Sequence, residues 1–164
     1  MMASKKAAPL AAASPRRKAR APEQSEPVTK EAPERNTAPS QWGRRMARLV
    51  GEKFGVAMSD NWSKNVGTYQ GKEIVIKCAK SPMPPVSVLI DMVDRIDQLW
   101  AVYIMLDGHA EVWIADMDKV RQAGYFTRGP NVQKRVEISL RKIVRIGTLL
   151  GTLSEEEVDS CQIP

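Results

Sequence analysis

Lys77 lies in the run Gly71-Lys72-Glu73-Ile74-Val75-Ile76-Lys77-Cys78-Ala79-Lys80-Ser81, which has the alternation of a β-strand. Ile74, Ile76 and Cys78 fall on one face, and Glu73, Val75, Lys77 and Ala79 on the other. An ammonium set among Ile and Cys is costly in an apolar interior without a partner. Lys77 therefore either faces water at a sheet edge or points into a site that uses a cation. Few other residues in the chain suggest chemistry. His109, the single His, sits in a turn, where a His is far more often exposed than catalytic, which argues against a His-based triad. Asp91, Asp94 and Asp97 are spaced by three and do not share one helix face, and Asp91 with Arg95 reads as an i,i+4 surface pair. Trp100, Tyr103 and Trp113 could stack on bases, but in a small sheet such residues belong to the core. Cys78 and Cys161 lack metal-ligand spacing and fit a reducing, cytoplasmic setting, Cys78 as a small core residue. No phosphate-binding loop, dinucleotide turn or zinc pattern occurs.

The elements that must position Lys77 can be read from periodicity. Trp42, Met46, Leu49, Val50 and Phe54 recur at helical spacing, with Ser40 as N-cap, Gly55 just past the end, and Arg44, Arg45, Arg48 and Lys53 on the outer face. Residues 59–71 are polar, and 66–69 can pair with 73–79 by turning at Gln70-Gly71. Pro82-Met83-Pro84-Pro85 stops any regular element. Residues 86–98 read as a helix whose first five residues could also form a strand. Residues 99–106 and 110–115 form a hairpin across Asp107-Gly108. A short helix over 117–123 ends at Gly124, 128–131 is a loop, and 135–143 alternates as a strand. Ser154 with Glu157 makes a capping box for a last helix over 155–160. The order implies an α+β fold, a small mixed or antiparallel sheet with helices against it.

Composition divides the 164-residue chain at about Ser40. Residues 1–40 hold 6 of the 11 Pro, no aromatic residue, 8 Lys and Arg and 4 Glu, too little apolar surface to offset the entropy of ordering. We expect a disordered basic tail over 1–40 and one α+β domain over 41–164. The net charge of +6 then divides into +4 on the tail and +2 on the domain. Lys5, Lys6, Arg16, Arg17, Lys18 and Arg20 could contact nucleic-acid phosphates by counterion release, as could Arg44, Arg45 and Arg48 on the first helix. The same tail could equally serve only to solubilise. No secretory h-region is visible, Pro interrupts any amphipathic transit helix, and no run reaches the length of a membrane span.

A helix, a Gly-preceded apolar strand carrying Lys77, a second helix and a further apolar strand together resemble the core of the restriction-endonuclease-like superfamily, the PD-(D/E)xK nucleases, over roughly 41–116. The resemblance implies Mg2+-dependent phosphodiester hydrolysis. Asp60 and Glu73 would hold the metal, Lys77 would orient or polarise the attacking water, and Asp91 would stand where some members place a migrated acid. The sequence departs from that pattern at Val75, where the family has an acid two residues before the Lys. Glu73 is two positions further back on the same face, about 6.6 Å along a strand. Two function classes follow: a nuclease-like phosphodiester hydrolase or its inactive relative, and a non-catalytic module binding DNA or protein through the tail and one sheet face. Convergence of Asp60, Glu73 and Lys77 in one cleft marks the first. A Lys77 splayed into solvent with no acid nearby marks the second.

Overall fold

The computed structural model describes residues 38–60, 65–129 and 132–162, with backbone alone described at 38–40, 128, 129, 132 and 133. The expected disordered tail, with Lys5, Lys6, Arg16, Arg17, Lys18 and Arg20, lies outside the described residues, apart from the start of the first helix. In chain order the elements are α1 (Ala38–Phe54), β1 (Ala57–Met58), β2 (Val66–Tyr69), β3 (Lys72–Ala79), β4 (Val86–Leu89), α2 (Ile90–Val93), β5 (Gln98–Ile104), β6 (Ala110–Asp116), α3 (Met117–Ala123), β7 (Tyr125–Gly129), β8 (Val132–Ile138), α4 (Leu140–Ile146), β9 (Thr148–Leu153) and α5 (Glu155–Asp159). The fold is α+β.

Six strands form one sheet in the order β1-β2-β3-β5-β6-β9, antiparallel throughout except for the parallel pair β3 and β5. Strands β2 and β3 join through Gln70 and Gly71, both at positive φ (50° and 75°), the backbone a two-residue hairpin needs. The expected hairpin of β5 and β6 forms across Asp107-Gly108. A second sheet, β4-β8-β7, is antiparallel.

Alternation along β3 and β5 produces two cores. Ile74, Ile76, Trp100 and Val102 pack with Trp42, Met46 and Val50 of α1 and with Val158 and Cys161 at α5. Val75, Ala79, Leu99, Ala101 and Tyr103 pack with Val86, Val88, Val136 and Ile138 of the second sheet and with Met92, Val120 and Ile143 of the short helices. The Tyr103 hydroxyl donates to the Ile138 carbonyl at 2.8 Å, tying the two sheets together. Trp100 meets Tyr69 edge-on with ring centroids 4.9 Å apart, and Phe54 at 6.4 Å.

Several expectations need correcting. The first helix begins at Ala38, so Ser40 is inside it rather than its N-cap. Residues 86–89 are strand and only 90–93 are helical, because Val86 and Val88 point into the core while the backbone pairs with β8. The strand expected over 135–143 is instead Val132–Ile138, and the chain enters α4 after Ser139, burying Ile143. Arg128 and Gly129 belong to β7 rather than to a loop. Strand β9 forms where the sequence carries no strand signal. Its approach depends on Gly147, where a Cβ would lie 2.5 Å from the Ile114 carbonyl oxygen. The capping box at Ser154 forms as expected.

Trp100→Ala is expected to cost about 3–5 kcal/mol by cavity formation, and Tyr103→Phe about 1 kcal/mol, both read from denaturant unfolding. Burial pushes the Tyr103 hydroxyl up to about 12, with the Val86 amide pulling the other way. The folded state therefore holds the phenolic proton more tightly than the unfolded chain. Stability from this group is complete below about pH 10 and is lost as the pH rises from 10 toward 12. Tyr103→Phe should lose less stability than the wild type over that range. Parallel alkaline profiles would refute this.

Candidate functional site

Lys77 stands opposite Ala101 of β5, on the strand face that also carries the buried Val75 and Ala79. It is partly buried where the second sheet covers the first. Burial lowers its pKa below the usual 10.5, and the Arg135 guanidinium on β8 lowers it further. A Cys78 thiolate would oppose this. Burial, however, pushes that thiol up to about 12, so it is neutral at neutral pH and its opposing charge is absent there. Among the described residues no carboxylate forms an ion pair with Lys77. The site is thus two cations in electrostatic interaction, one partly desolvated and one exposed, with no carboxylate ion-paired to either among the described residues.

The expected acids lie elsewhere. Glu73 is exposed at the start of β3, and its backbone is held by residue 97: its N–H donates to Asp97 Oδ2 and its carbonyl accepts from the Asp97 N–H, both at 2.8 Å. Asp60 is exposed in the bend after β1. Asp91 is exposed on α2, and its backbone carbonyl rather than its carboxylate accepts from Arg95 Nε, at 2.9 Å. The expected Asp91–Arg95 ion pair is therefore replaced by this backbone bond, and Asp94 pairs with Arg121. Among the described residues no three His, Cys, Asp or Glu side chains come together as metal ligands would. Asp60, Glu73 and Asp91 belong to no such group among the described residues.

Acidic side chains do gather in a hollow of about 390 Å³ lined by Asp94, Arg95, Asp97, Asp116, Asp118 and Arg121, among others. Most of these acids are already engaged. Asp94 holds Arg121, Asp97 accepts the Glu73 amide, and Asp116 accepts from Gln98 and pairs with Lys119. The hollow is a set of surface braces between α2, α3 and the strand ends.

Arg44, Arg45 and Arg48 lie on α1 as expected, but beside an acidic helix. α5 carries Glu155, Glu156, Glu157 and Asp159, and Lys53 grips both Glu157 oxygens at 2.8 and 2.7 Å. That grip and the capping box hold the Glu157 carboxyl below its ordinary range. Arg45 is close enough to Cys161 to oppose the upward push of burial on its thiol. The basic face of α1 is thus partly compensated within the fold.

A different basic region carries no motif and is not among the expected site residues. Residues 125–146 hold Arg128, Lys134, Arg135, Arg141, Lys142 and Arg145 against Glu137 alone. A window count of charge along the sequence is the signal that finds it. Within it Tyr125 and Phe126 are 60% and 58% exposed, unusually bare for aromatic residues. The chain matches no protein-family model and no curated protein.

Lys77→Met tests the desolvated cation. With the folded-state pKa depressed, the unfolded chain binds the proton more tightly. The folded state is penalised while Lys77 is charged, and the penalty is relieved as the pH rises through the folded value toward 10.5. Lys77→Met is therefore expected to melt a few degrees above the wild type at pH 7, with the gap closing toward pH 10. A gap that stays constant with pH would show that Lys77 is fully hydrated.

Proposed function

We propose that this protein binds nucleic acid without cleaving it, using Lys77 and Arg135 as phosphate contacts and the basic residues of 1–40 as a weaker, sequence-independent arm. The observation that carries this reading is the partly buried Lys77 ammonium on β3, with no carboxylate ion-paired to it among the described residues and with its pKa lowered by burial and by the Arg135 charge. Two cations that repel in the free protein gain a shared partner when a phosphate arrives. Charge-assisted hydrogen bonds in a partly desolvated site are the strong kind. Nothing in this arrangement reads base identity, so the affinity should be dominated by phosphate contacts and fall steeply with salt.

The hydrolase reading has in its favour that Glu73 and Lys77 share one face of β3. Among the described residues, no cluster of three acids, His or Cys accompanies them. One experiment separates the two readings. Full-length protein is incubated with plasmid and with single-stranded DNA in Mg2+ or Mn2+, with a chelator as control, and binding is measured in parallel across salt concentrations. Binding without cleavage, weakened several-fold in Lys77→Met and in Arg135→Gln, is expected. Deleting 2–37, which ends before α1, should flatten the slope of log affinity against log salt by about 0.7–0.9 for each phosphate that the tail neutralises. Metal-dependent cleavage abolished by both Lys77→Ala and Glu73→Ala would instead establish the hydrolase.

A further inference from the structure

Phe126 sits on β7, which has β8 as its one neighbour in the second sheet. It pairs across the ladder with Val136, so the two share a face, and Lys134 lies two residues along β8 on that same face. Val136 is buried while Phe126 remains 58% exposed. Beside it is a pocket of about 230 Å³ lined by Ile90, Phe126, Thr127 and Lys134. The pocket thus combines an aromatic wall, an aliphatic side chain and a cation. Those are the parts needed to stack a flat ring and hold a phosphate next to it.

The surroundings fit the same ligand. Lys134, Arg135, Arg141 and Arg145 are exposed, and Glu137 is the single acid over 125–146. Next to Phe126 along β7, Tyr125 is overlaid by the Lys142 ammonium at 3.5 Å from its ring centroid, and that ammonium also donates to the Ala123 carbonyl. Successive residues of a strand face opposite ways, so the basic character extends to both sides of the ribbon. The ladder between β7 and β8 is irregular between Thr127 and Gly129, which spoils the edge as a template for another strand.

We propose that the β7–β8 ribbon is a contact for single-stranded nucleic acid, in which an unpaired base stacks on Phe126 within the pocket and Lys134 holds the adjoining phosphate. The proposal rests on the nucleic-acid reading and specifies its ligand. A duplex keeps its bases stacked on each other and presents only phosphates to this face. A single strand offers a free ring, and every base has one, so the contact is tolerant of sequence.

Fluorescence anisotropy of full-length protein with a labelled dT oligonucleotide, and with a duplex of the same length, tests it. Phe126→Ala is expected to weaken single-strand binding about tenfold and leave duplex binding unchanged. Phe126→Trp should restore it. Lys134→Gln should weaken binding to both and reduce the salt slope by the share of about one phosphate. Phe126 is largely exposed, so an unchanged melting temperature in Phe126→Ala checks that the fold is intact. Equal weakening for single strand and duplex, or none for either, would overturn the stacking site while leaving the Lys77–Arg135 reading standing. Failure of the wild type to bind any nucleic acid at low salt would overturn both. A dimer in sedimentation that Phe126→Ala dissociates would show that a second copy of the chain covers the pocket instead.

Discussion

A strand paired in parallel on one side and antiparallel on the other, with neither face left to water, has to be covered twice, and β5 is that strand. Leu99 to Tyr103 are all fully buried. Trp100 and Val102 require the cover that α1 and α5 provide, and Leu99, Ala101 and Tyr103 require the second sheet. Parallel pairing makes this obligatory, since the chain must cross over between β3 and β5 and the crossover lies on a face of the sheet. Here the crossover includes β4, which becomes the edge of the second sheet. Covering β5 thus gives rise to the second sheet and brings Arg135 within electrostatic reach of Lys77.

The charge distribution follows from the same layering. One outer side has α1 against the acidic α5, where Lys53 and Glu157 neutralise each other. The ends of β5 and β6 carry aspartates already braced by Arg121, Gln98 and backbone amides. The stretch 125–146 has nearly all its charges of one sign. Opposite charges placed within ion-pairing reach cancel at short range and leave little field beyond a Debye length. A one-sign region keeps its field and attracts polyanions. A modest net charge on residues 41–164 therefore conceals a strongly basic stretch of chain.

Local patterns in the sequence specify what local physics decides. The hairpin of β5 and β6 is readable because β-branched and aromatic residues alternate on either side of Asp107-Gly108. The α5 cap is readable because Ser154 and Glu157 satisfy each other's backbone. Helix α1 shows a clean 3.6-residue period. Most of what the sequence misleads on involves the second sheet or the far edge of the first. Residues 86–93 have spacing compatible with either helix or strand, and only pairing with β8 decides it. The apolar residues of 132–146 alternate up to Ile138 and then adopt helical spacing, a change of period inside what looks like one run. β9 includes Gly151 and two threonines, lacks the strand-former density of its neighbours, and is held by β6 and by the close approach at Gly147. As for the site, the position of Lys77 within a strand is readable and its surroundings are not. Arg135 arrives from β8, far along the chain, and the acids expected near Lys77 are exposed, with the backbones of Glu73 and Asp91, not their carboxylates, bonded to Asp97 and Arg95.

Stability alone gives no reason for a lysine at position 77. The site sits between two apolar layers, its neighbours on the strand face are Val75 and Ala79, and a methionine would occupy much the same space without losing hydration. Partial burial of an ammonium with no acid beside it is unfavourable, and Arg135 adds repulsion to it. In a structural ion pair the fold itself supplies the counter-charge, as it does for Arg121 with Asp94 and for Lys53 with Glu157. At Lys77 it supplies a second cation instead. A bound anion would relieve that cost, which is the physical basis of the phosphate contact proposed above.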